Sequence, residues 1–269
     1  MPLAAVIQMT SGPTVSDNLA VARGLLETAA KRGAKLAGLP ENFSIMGLNE
    51  RDKLAVAEPD GAGPIQEWLA MTARELNLWI VGGTIPIRAT ADKVSPACLV
   101  FNSEGRRVVR YDKIHLFDVE IPGRGESYRE SATMAAGNAP VVVDTPIGKI
   151  GLAVCYDMRF PELSRHLVEQ GAQVLSFPAA FTAPTGRAHW DVLLRARAIE
   201  NLCYVMAPAQ TGTHANGRET FGNALIVDPW GVVLGRVENG AGVALAEIDA
   251  AAQAEIRERF PALRHRKIS

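Results

Sequence analysis

The chain has 269 residues, of which 48% are hydrophobic and 21% are charged, and its formal net charge at pH 7 is -1. This balance is typical of a globular protein with a substantial core, and it disfavours a role in binding nucleic acid or another polyanion. No uncharged apolar stretch approaches the roughly 18 residues of a membrane span, and the N-terminus lacks the pattern of a signal peptide. We therefore expect a cytoplasmic protein without a membrane partner.

The first third of the chain alternates between strand and helix patterns. An apolar strand over 3–9 precedes a helix that begins near Ser16, and a short strand over 34–39 leads to Pro40-Glu41. A second helix over about 63–76 and a strand over 79–87 follow. This order predicts a βαβ opening and an α/β fold.

The middle of the chain combines short strands with one long irregular connection. The runs 98–101 and 108–111 flank turn residues and predict a hairpin, whereas 115–140 shows no periodicity and is typical of a functional loop. The uncharged run ending at Cys155 predicts a buried strand, and Pro161 opens a helix before another strand over 173–177.

The last third adds a helix, strands and a basic tail. An amphipathic pattern over 188–201 predicts a helix, and later apolar runs predict a strand, a hairpin around Asp228-Pro-Trp-Gly and a final strand over 242–248. The tail over about 251–269 reads as an extension. Because no linker or repeat interrupts the chain, we expect a single domain over 1–269.

Three residues with catalytic chemistry follow the ends of predicted strands: Glu41, Lys113 and Cys155. Open α/β sheets gather their ligands at the carboxyl ends of strands. A thiol that attacks an amide needs a base, a group to hold the oxyanion and an acid to protonate the departing amine. Glutamate, lysine and cysteine can supply these functions without a metal or another cofactor.

Each of the three residues also has an ordinary structural explanation. Cysteines are often small core side chains, as we expect for Cys98 and Cys203, and glutamates and lysines at strand ends are usually solvated. A Cys-His enzyme is a further alternative, because His115 and His189 lie in plausible loops. The three cysteines form no C-x-x-C pair, and the histidines lack metal-ligand spacing.

Three ordered motifs resemble the nitrilase or carbon–nitrogen hydrolase superfamily. They are Leu39-Pro-Glu41-Asn-Phe, Tyr111-Asp-Lys113-Ile-His-Leu-Phe and Gly151-Leu-Ala-Val-Cys155-Tyr-Asp-Met-Arg-Phe-Pro-Glu-Leu. The resemblance implies a four-layer α-β-β-α sandwich and a catalytic Glu-Lys-Cys triad. It also implies that Glu130 holds the lysine, and that a homodimer forms through the helices near Glu162 and Arg195.

Within this superfamily the sequence is most similar to the branch that includes deaminated-glutathione amidase. The segments that carry this similarity are 115–123, 185–190, 193–200 and 227–231. It implies hydrolysis of the primary amide of a small carboxylate-bearing molecule, with deaminated glutathione as the first candidate. Cys155 would form a thioester and ammonia would leave, while Glu41 acts as base and acid and Lys113 and the backbone N–H of Tyr156 stabilise the oxyanion.

A carboxylate on the substrate requires a cationic partner, and Arg124 and Arg187 lie near the motif loops, as does Tyr128. Arg159 lies inside the cysteine motif, where we expect a structural ion pair instead.

Other functions are compatible with the same triad. An omega-amidase acting on α-ketoglutaramate-type substrates is the nearest alternative, and a nitrilase or an N-carbamoyl hydrolase would use the same three residues. A regulatory binding member without activity is disfavoured because every triad position is filled. A glutaminase module of a synthetase is disfavoured because the fold occupies all 269 residues.

Overall fold

The computed structural model describes residues 1–121 and 126–268. Its helices are α1 Val15–Lys31, α2 Asp52–Ala55, α3 Pro64–Glu75, α4 Pro161–Glu169, α5 Ala183–Asn201 and α6 Ala250–Arg259. Its strands are β1 Leu3–Met9, β2 Ala34–Leu39, β3 Trp79–Gly82, β4 Ile85–Arg88, β5 Val94–Phe101, β6 Arg107–Asp112, β7 Asp118–Ile121, β8 Glu126–Arg129, β9 Val141–Thr145, β10 Gly148–Leu152, β11 Val174–Ser176, β12 Tyr204–Ala207, β13 Ala209–Thr213, β14 Glu219–Phe221, β15 Leu225–Val227, β16 Val233–Arg236 and β17 Gly242–Glu247.

Two large sheets form the framework. The first has the order β14-β13-β1-β2-β3-β5-β4, with β17 also paired to β1 and β6 paired to β5. Its central strands β1, β2 and β3 run parallel to one another. The second sheet has the order β16-β15-β12-β11-β10-β9, and β10, β11 and β12 are parallel. The carboxyl ends of these parallel strands supply the segments that carry Glu41 and Cys155.

Apolar packing on both faces of the first sheet produces the layers. One face of that sheet contributes Val6 and Val100 to a core shared with the second sheet and with α4 and α5. Its other face packs against α1 and α3 through a second core that contains Leu26 and Leu69. The structure therefore has the four-layer α-β-β-α arrangement, and the fold expected from the sequence is confirmed.

Several elements differ from the sequence expectation. The strand expected over 79–87 is divided into β3 and β4, because Gly83 has φ +50 and a Cβ there would lie 2.0 Å from the Pro40 carbonyl oxygen. The connection over 115–140 contains the β7–β8 hairpin. Helix α5 begins at Ala183 instead of 188, because Pro184 is tolerated in its first turn.

The C-terminal segment is held against the rest of the chain. Asp249 caps α6 by accepting hydrogen bonds from the backbone of Ala251 and Ala252. From α6, the Gln253 Nε2 donates to the carbonyl oxygens of Gln173 at 2.8 Å and Leu202 at 3.0 Å. None of the helices in the described residues has the length and apolar composition of a membrane span.

We expect Leu26→Ala to lower the free energy of unfolding by about 2–5 kcal/mol, because Leu26 is fully buried between α1 and the first sheet. Val21→Ala on the exposed face of the same helix is the control and should change that energy by about 0.5 kcal/mol or less. Urea unfolding followed by circular dichroism measures both. Equal losses for the two variants would contradict this assignment of the core.

Candidate active site

A buried lysine joins two carboxylates at the centre of the site. The Lys113 Nζ donates to Glu41 Oε1 and to Glu130 Oε2, each at 2.8 Å. Lys113 is fully buried, and the side chains of Glu41 and Glu130 are only 4% and 12% exposed. The structure thus brings together three of the residues that the sequence singled out.

Backbone groups hold both carboxylates in place. Ala180 donates its N–H to Glu41 Oε2 at 2.9 Å, so that both oxygens of this carboxylate have a partner. Phe117 donates its N–H to Glu130 Oε2 at 2.8 Å. The Gln210 Nε2 also donates to the Glu41 carbonyl oxygen at 3.0 Å, which fixes the main chain of Glu41 after β2. Neither carboxylate can turn away without leaving a buried donor unsatisfied.

Cys155 lies at a sharp turn after β10. Its φ is +47, a left-handed conformation that is uncommon for any residue other than glycine, and its N–H donates to the Pro178 carbonyl oxygen at 2.9 Å. A 3-10 helix spans Cys155–Arg159. Because N–H groups in a first helical turn lack an intrahelical acceptor, the N–H of Tyr156 is available beside the thiol. This geometry is that of a strand-to-helix nucleophile turn.

Asp157 connects the cysteine turn to the lysine segment. Its carboxylate is fully buried and accepts hydrogen bonds from Val154 N at 2.8 Å and Tyr111 OH at 2.7 Å. It also accepts from His115 N at 3.0 Å, and the His115 Nδ1 lies 2.7 Å away. Asp157 therefore fixes the position of Cys155 relative to the segment that carries Lys113.

The charges at the centre support one another. Burial alone would lower the pKa of Lys113, but the carboxylates of Glu130 and Glu41 outweigh burial and raise that pKa well above its ordinary value. Burial alone would raise the pKa of Glu130, yet Lys113 and Lys53 hold it below its ordinary value. Lys113 is therefore an ammonium ion at neutral pH, and Glu130 is ionised.

The surroundings of Cys155 favour its neutral form, whereas Lys113 and Glu130 are kept charged. Burial raises the pKa of Cys155 well above its ordinary value and the Glu41 carboxylate raises it further, whereas Lys113 and the Ala180 N–H act to lower it. Resting Cys155 is therefore a neutral thiol. Its reaction requires a group that removes the proton as attack occurs, and Glu41 lines the same cavity.

The cavity around the thiol is narrow, with an accessible volume of about 10 Å³. It is lined by Glu41, Phe117, Glu130, Cys155, Tyr156, Ala180, Phe181, Thr182, Thr185 and Arg218. A more open outer groove shares Glu130 and Arg218 with this cavity and adds Tyr128 and Arg129. Together they form a space that is narrow beside the thiol and wider toward solvent.

The structure gives a different result for each of the three residues that we expected near a substrate carboxylate. Tyr128 lines the outer groove. Arg187 is exposed on α5 and does not line the cavity or the outer groove, because α5 begins earlier than the sequence indicated. Arg124 lies outside the described residues.

Arg159 does not form the structural ion pair that we expected. Among the described residues it has no carboxylate partner, and its guanidinium lies over the Phe181 ring at 5.1 Å and beside the His189 Nδ1 at 3.3 Å. Neither His189 nor His115 lines the cavity. Because His189 lies beside Arg159 and His115 lies beside Asp157, neither histidine is placed to act as the base of a Cys-His enzyme.

The sequence reasoning missed Arg218, which lines both the cavity and the outer groove. It lies in the connection between β13 and β14, two strands that were not expected because each is short. The only local signal is the Asn216-Gly217 turn before it. The Ala180 N–H was missed as well, because it belongs to no strand or helix.

Comparison with known proteins gives a consistent result. The carbon–nitrogen hydrolase family model matches residues 3–258. The chain is 46% identical to a deaminated glutathione amidase of Synechocystis, covering 98% of this chain and 97% of that protein. It is 44% identical to the human protein of that name, covering 99% and 83%.

Solved structures agree with these relatives. The yeast Nit3 structure, from branch 10 of the nitrilase superfamily, has a TM-score of 0.88 at 30% identity and covers 99% of this chain and 97% of its own. The nematode NitFhit structure has a TM-score of 0.92 at 40% identity, and the chain covers 65% of that protein.

We expect Glu41→Gln and Lys113→Met to shift the titration of Cys155 in opposite directions. Burial persists in both variants, but loss of the Glu41 charge should lower the thiol pKa, whereas loss of the Lys113 charge should raise it. The rate of reaction with methyl methanethiosulfonate against pH, followed by mass spectrometry, locates the midpoint.

Cys98 and Cys203 are internal controls in the same experiment, because burial raises the pKa of each to about 12. They should stay unmodified in the folded protein. If the midpoint of Cys155 modification moved to higher pH in both variants, the Glu41 charge would not be what raises the thiol pKa.

Proposed function

Because this chain belongs to the carbon–nitrogen hydrolase family and is an amide-hydrolysing enzyme, we propose that Glu41, Lys113 and Cys155 carry out its reaction with Glu130 in support. The single observation that carries the proposal is the buried ammonium of Lys113 between Glu41 and Glu130, two carboxylates that line the cavity containing the thiol. The other two cysteines of the described residues, Cys98 and Cys203, are buried and do not line this cavity.

The first step forms a thioester. Glu41 takes the proton of Cys155 while the sulfur attacks the amide carbon, so that a C–S bond forms and the carbonyl π electrons move to the oxygen. The Lys113 ammonium uses two of its three N–H bonds on Glu41 and Glu130, and the third is available to the oxyanion with the Tyr156 N–H. Glu41 then gives its proton to the leaving nitrogen, and the C–N bond breaks.

The second step hydrolyses the thioester. Glu41 is a carboxylate again after the amine has left, and it removes a proton from a water that attacks the thioester carbon. The C–S bond breaks, the thiolate recovers the proton, and a carboxylic acid leaves. Lys113 remains charged in both steps, because its pKa is far above neutral pH.

As the substrate we propose deaminated glutathione, as the names of the relatives suggest. Deamination changes only the α-amino group of the γ-glutamyl residue, so both amides of this molecule are secondary. Cleavage at the γ-carbonyl would therefore release the dipeptide cysteinylglycine. The ammonia release that the sequence led us to expect applies only to a primary amide such as α-ketoglutaramate.

We expect the wild type to hydrolyse deaminated glutathione with the highest kcat/KM in a panel with α-ketoglutaramate, an N-carbamoyl amino acid and a nitrile. Cysteinylglycine and 2-oxoglutarate report on the first substrate and ammonia on the others. Cys155→Ala should lose activity at least about a thousandfold, because no other group in the cavity can form the thioester.

Cys203→Ala is the matched control, because it removes a buried thiol outside the cavity and should retain activity. A higher kcat/KM for another member of the panel would replace the proposed substrate. Full activity of Cys155→Ala would overturn the mechanism.

We also propose that the chain forms a homodimer through the surface of α4 and α5. Val192 and Ile199 on α5 are 68% and 47% exposed, and Trp230 is 59% exposed on the neighbouring turn. A Cβ on Gly231 would lie 2.6 Å from Ile199 Cδ1, which places that turn beside α5. Large apolar side chains grouped in this way are typical of a surface that a partner covers.

We expect the double substitution Val192→Asp with Ile199→Asp to convert a dimer into a monomer, because it places charges in this apolar surface. Val108→Asp on β6, where the side chain is 40% exposed, should leave the dimer intact. Analytical ultracentrifugation measures both. A wild type that sediments as a monomer, or a double variant that still dimerises, would contradict the proposal.

A further inference from the structure

Arg218 lies where the catalytic cavity meets the outer groove. One of its terminal nitrogens, Nη2, donates to the Ala180 carbonyl oxygen at 2.6 Å, and its guanidinium carbon lies 5.0 Å from the centre of the Tyr128 ring. These contacts hold the planar cation where the cavity meets the outer groove.

The charge of Arg218 is not neutralised within the described part of the chain. No carboxylate there lies within ion-pair distance of it, and its Nε is buried without a hydrogen-bond acceptor. The nearby acids Glu130 and Glu50 already pair with Lys113 and Lys53. A buried donor without an acceptor is costly, so a ligand that brings a carboxylate to Arg218 would satisfy it.

The backbone of one residue, Ala180, limits the distance between Arg218 and the proposed catalytic base Glu41. Ala180 donates its N–H to Glu41 Oε2 at 2.9 Å and accepts from Arg218 through its carbonyl oxygen at 2.6 Å. Standard backbone dimensions then limit the separation of the guanidinium from Glu41 to roughly 9 Å. Two extended residues span about 7 Å and a hydrogen bond at each end adds about 6 Å, so a departing dipeptide that reaches both groups must be bent.

We propose that Arg218 binds a carboxylate on the leaving-amine side of the substrate. The inference rests on the proposed amidase function and adds to it the residue that selects a departing amine with a carboxylate. The leaving side is favoured because the leaving nitrogen must touch Glu41, while the acyl group stays on Cys155 inside the enclosed cavity. The departing peptide then extends into the open groove.

The test compares deaminated glutathione with its analogue in which the glycine carboxylate is a carboxamide, and with α-ketoglutaramate, whose leaving group is ammonia. The Arg218→Gln variant keeps a side-chain N–H for Ala180 but removes the charge. It should raise KM for the carboxylate substrate about tenfold to a hundredfold and leave the carboxamide and α-ketoglutaramate nearly unchanged. Arg218→Lys keeps the charge and should restore part of the loss.

The exposed Arg106, which pairs with Glu104 at the β5–β6 turn, offers the matched control. Arg106→Gln removes the same charge far from the groove and should behave as the wild type on all three substrates. Thermal unfolding of each variant measures any structural effect of losing the contact to Ala180.

Three results would overturn the proposal. Equal losses of Arg218→Gln on the carboxylate and the carboxamide would make Arg218 only a support for Ala180. A loss on α-ketoglutaramate as large as that on deaminated glutathione would place Arg218 on the acyl side. No loss on any substrate would exclude a binding role.

Failure of the proposed function would look different. The wild type itself would then leave deaminated glutathione intact and hydrolyse another amide. Extending the leaving amine of that accepted amide by a dipeptide with a carboxylate or a carboxamide end repeats the comparison. Arg218 should again favour the carboxylate, and indifference to it would overturn the inference.

Discussion

The buried ammonium of Lys113 is the constraint on which the site depends. Removing an ion of this kind from water costs several kcal/mol, and only partners at close distance offset that cost. Glu41 and Glu130 provide them at 2.8 Å each. The two carboxylates and the lysine must therefore stay together in the folded protein, and Glu41, the proposed base, is held by the same contact that keeps the lysine charged.

The cysteine is positioned by a separate arrangement. Its left-handed φ is unfavourable for a residue with a side chain, so surrounding contacts must enforce it. The Pro178 carbonyl holds the N–H of Cys155, and Asp157 holds Val154 just before it. Because Asp157 also binds Tyr111 and the backbone of His115, the turn is fixed to the chain on both sides of Lys113. Cys155 and Lys113 are thus both positioned by the same buried carboxylate, Asp157.

Much of the layered fold could be predicted, because its elements bury regular apolar patterns. Helix α1 buries Ala22, Leu26 and Ala29 at helical spacing, and the parallel strands are largely apolar. The predictions from the sequence are wrong where tertiary contacts override the local conformational preference of the chain. Gly83 divides one expected strand because the Pro40 carbonyl occupies the space of a Cβ. The strands β13 and β14 are too short to show a period, and they form because they pair with each other and with β1.

The residues of the candidate site also differ in whether a local sequence pattern indicates them. Glu41, Lys113 and Cys155 were predictable because each follows a strand whose end lies at the sheet edge, and the ordered motifs add a strong local signal. Arg218 carries no such signal, since its contact with Ala180 joins residues 38 positions apart in the chain. The backbone of Ala180 nevertheless binds Glu41 through its N–H and Arg218 through its carbonyl oxygen. A change in the connection before β14 therefore acts on the cavity mouth and, through the backbone of this one residue, on the orientation of Glu41. In the proposed mechanism, Ala180 thus couples substrate selection to proton transfer although its side chain takes no part in either.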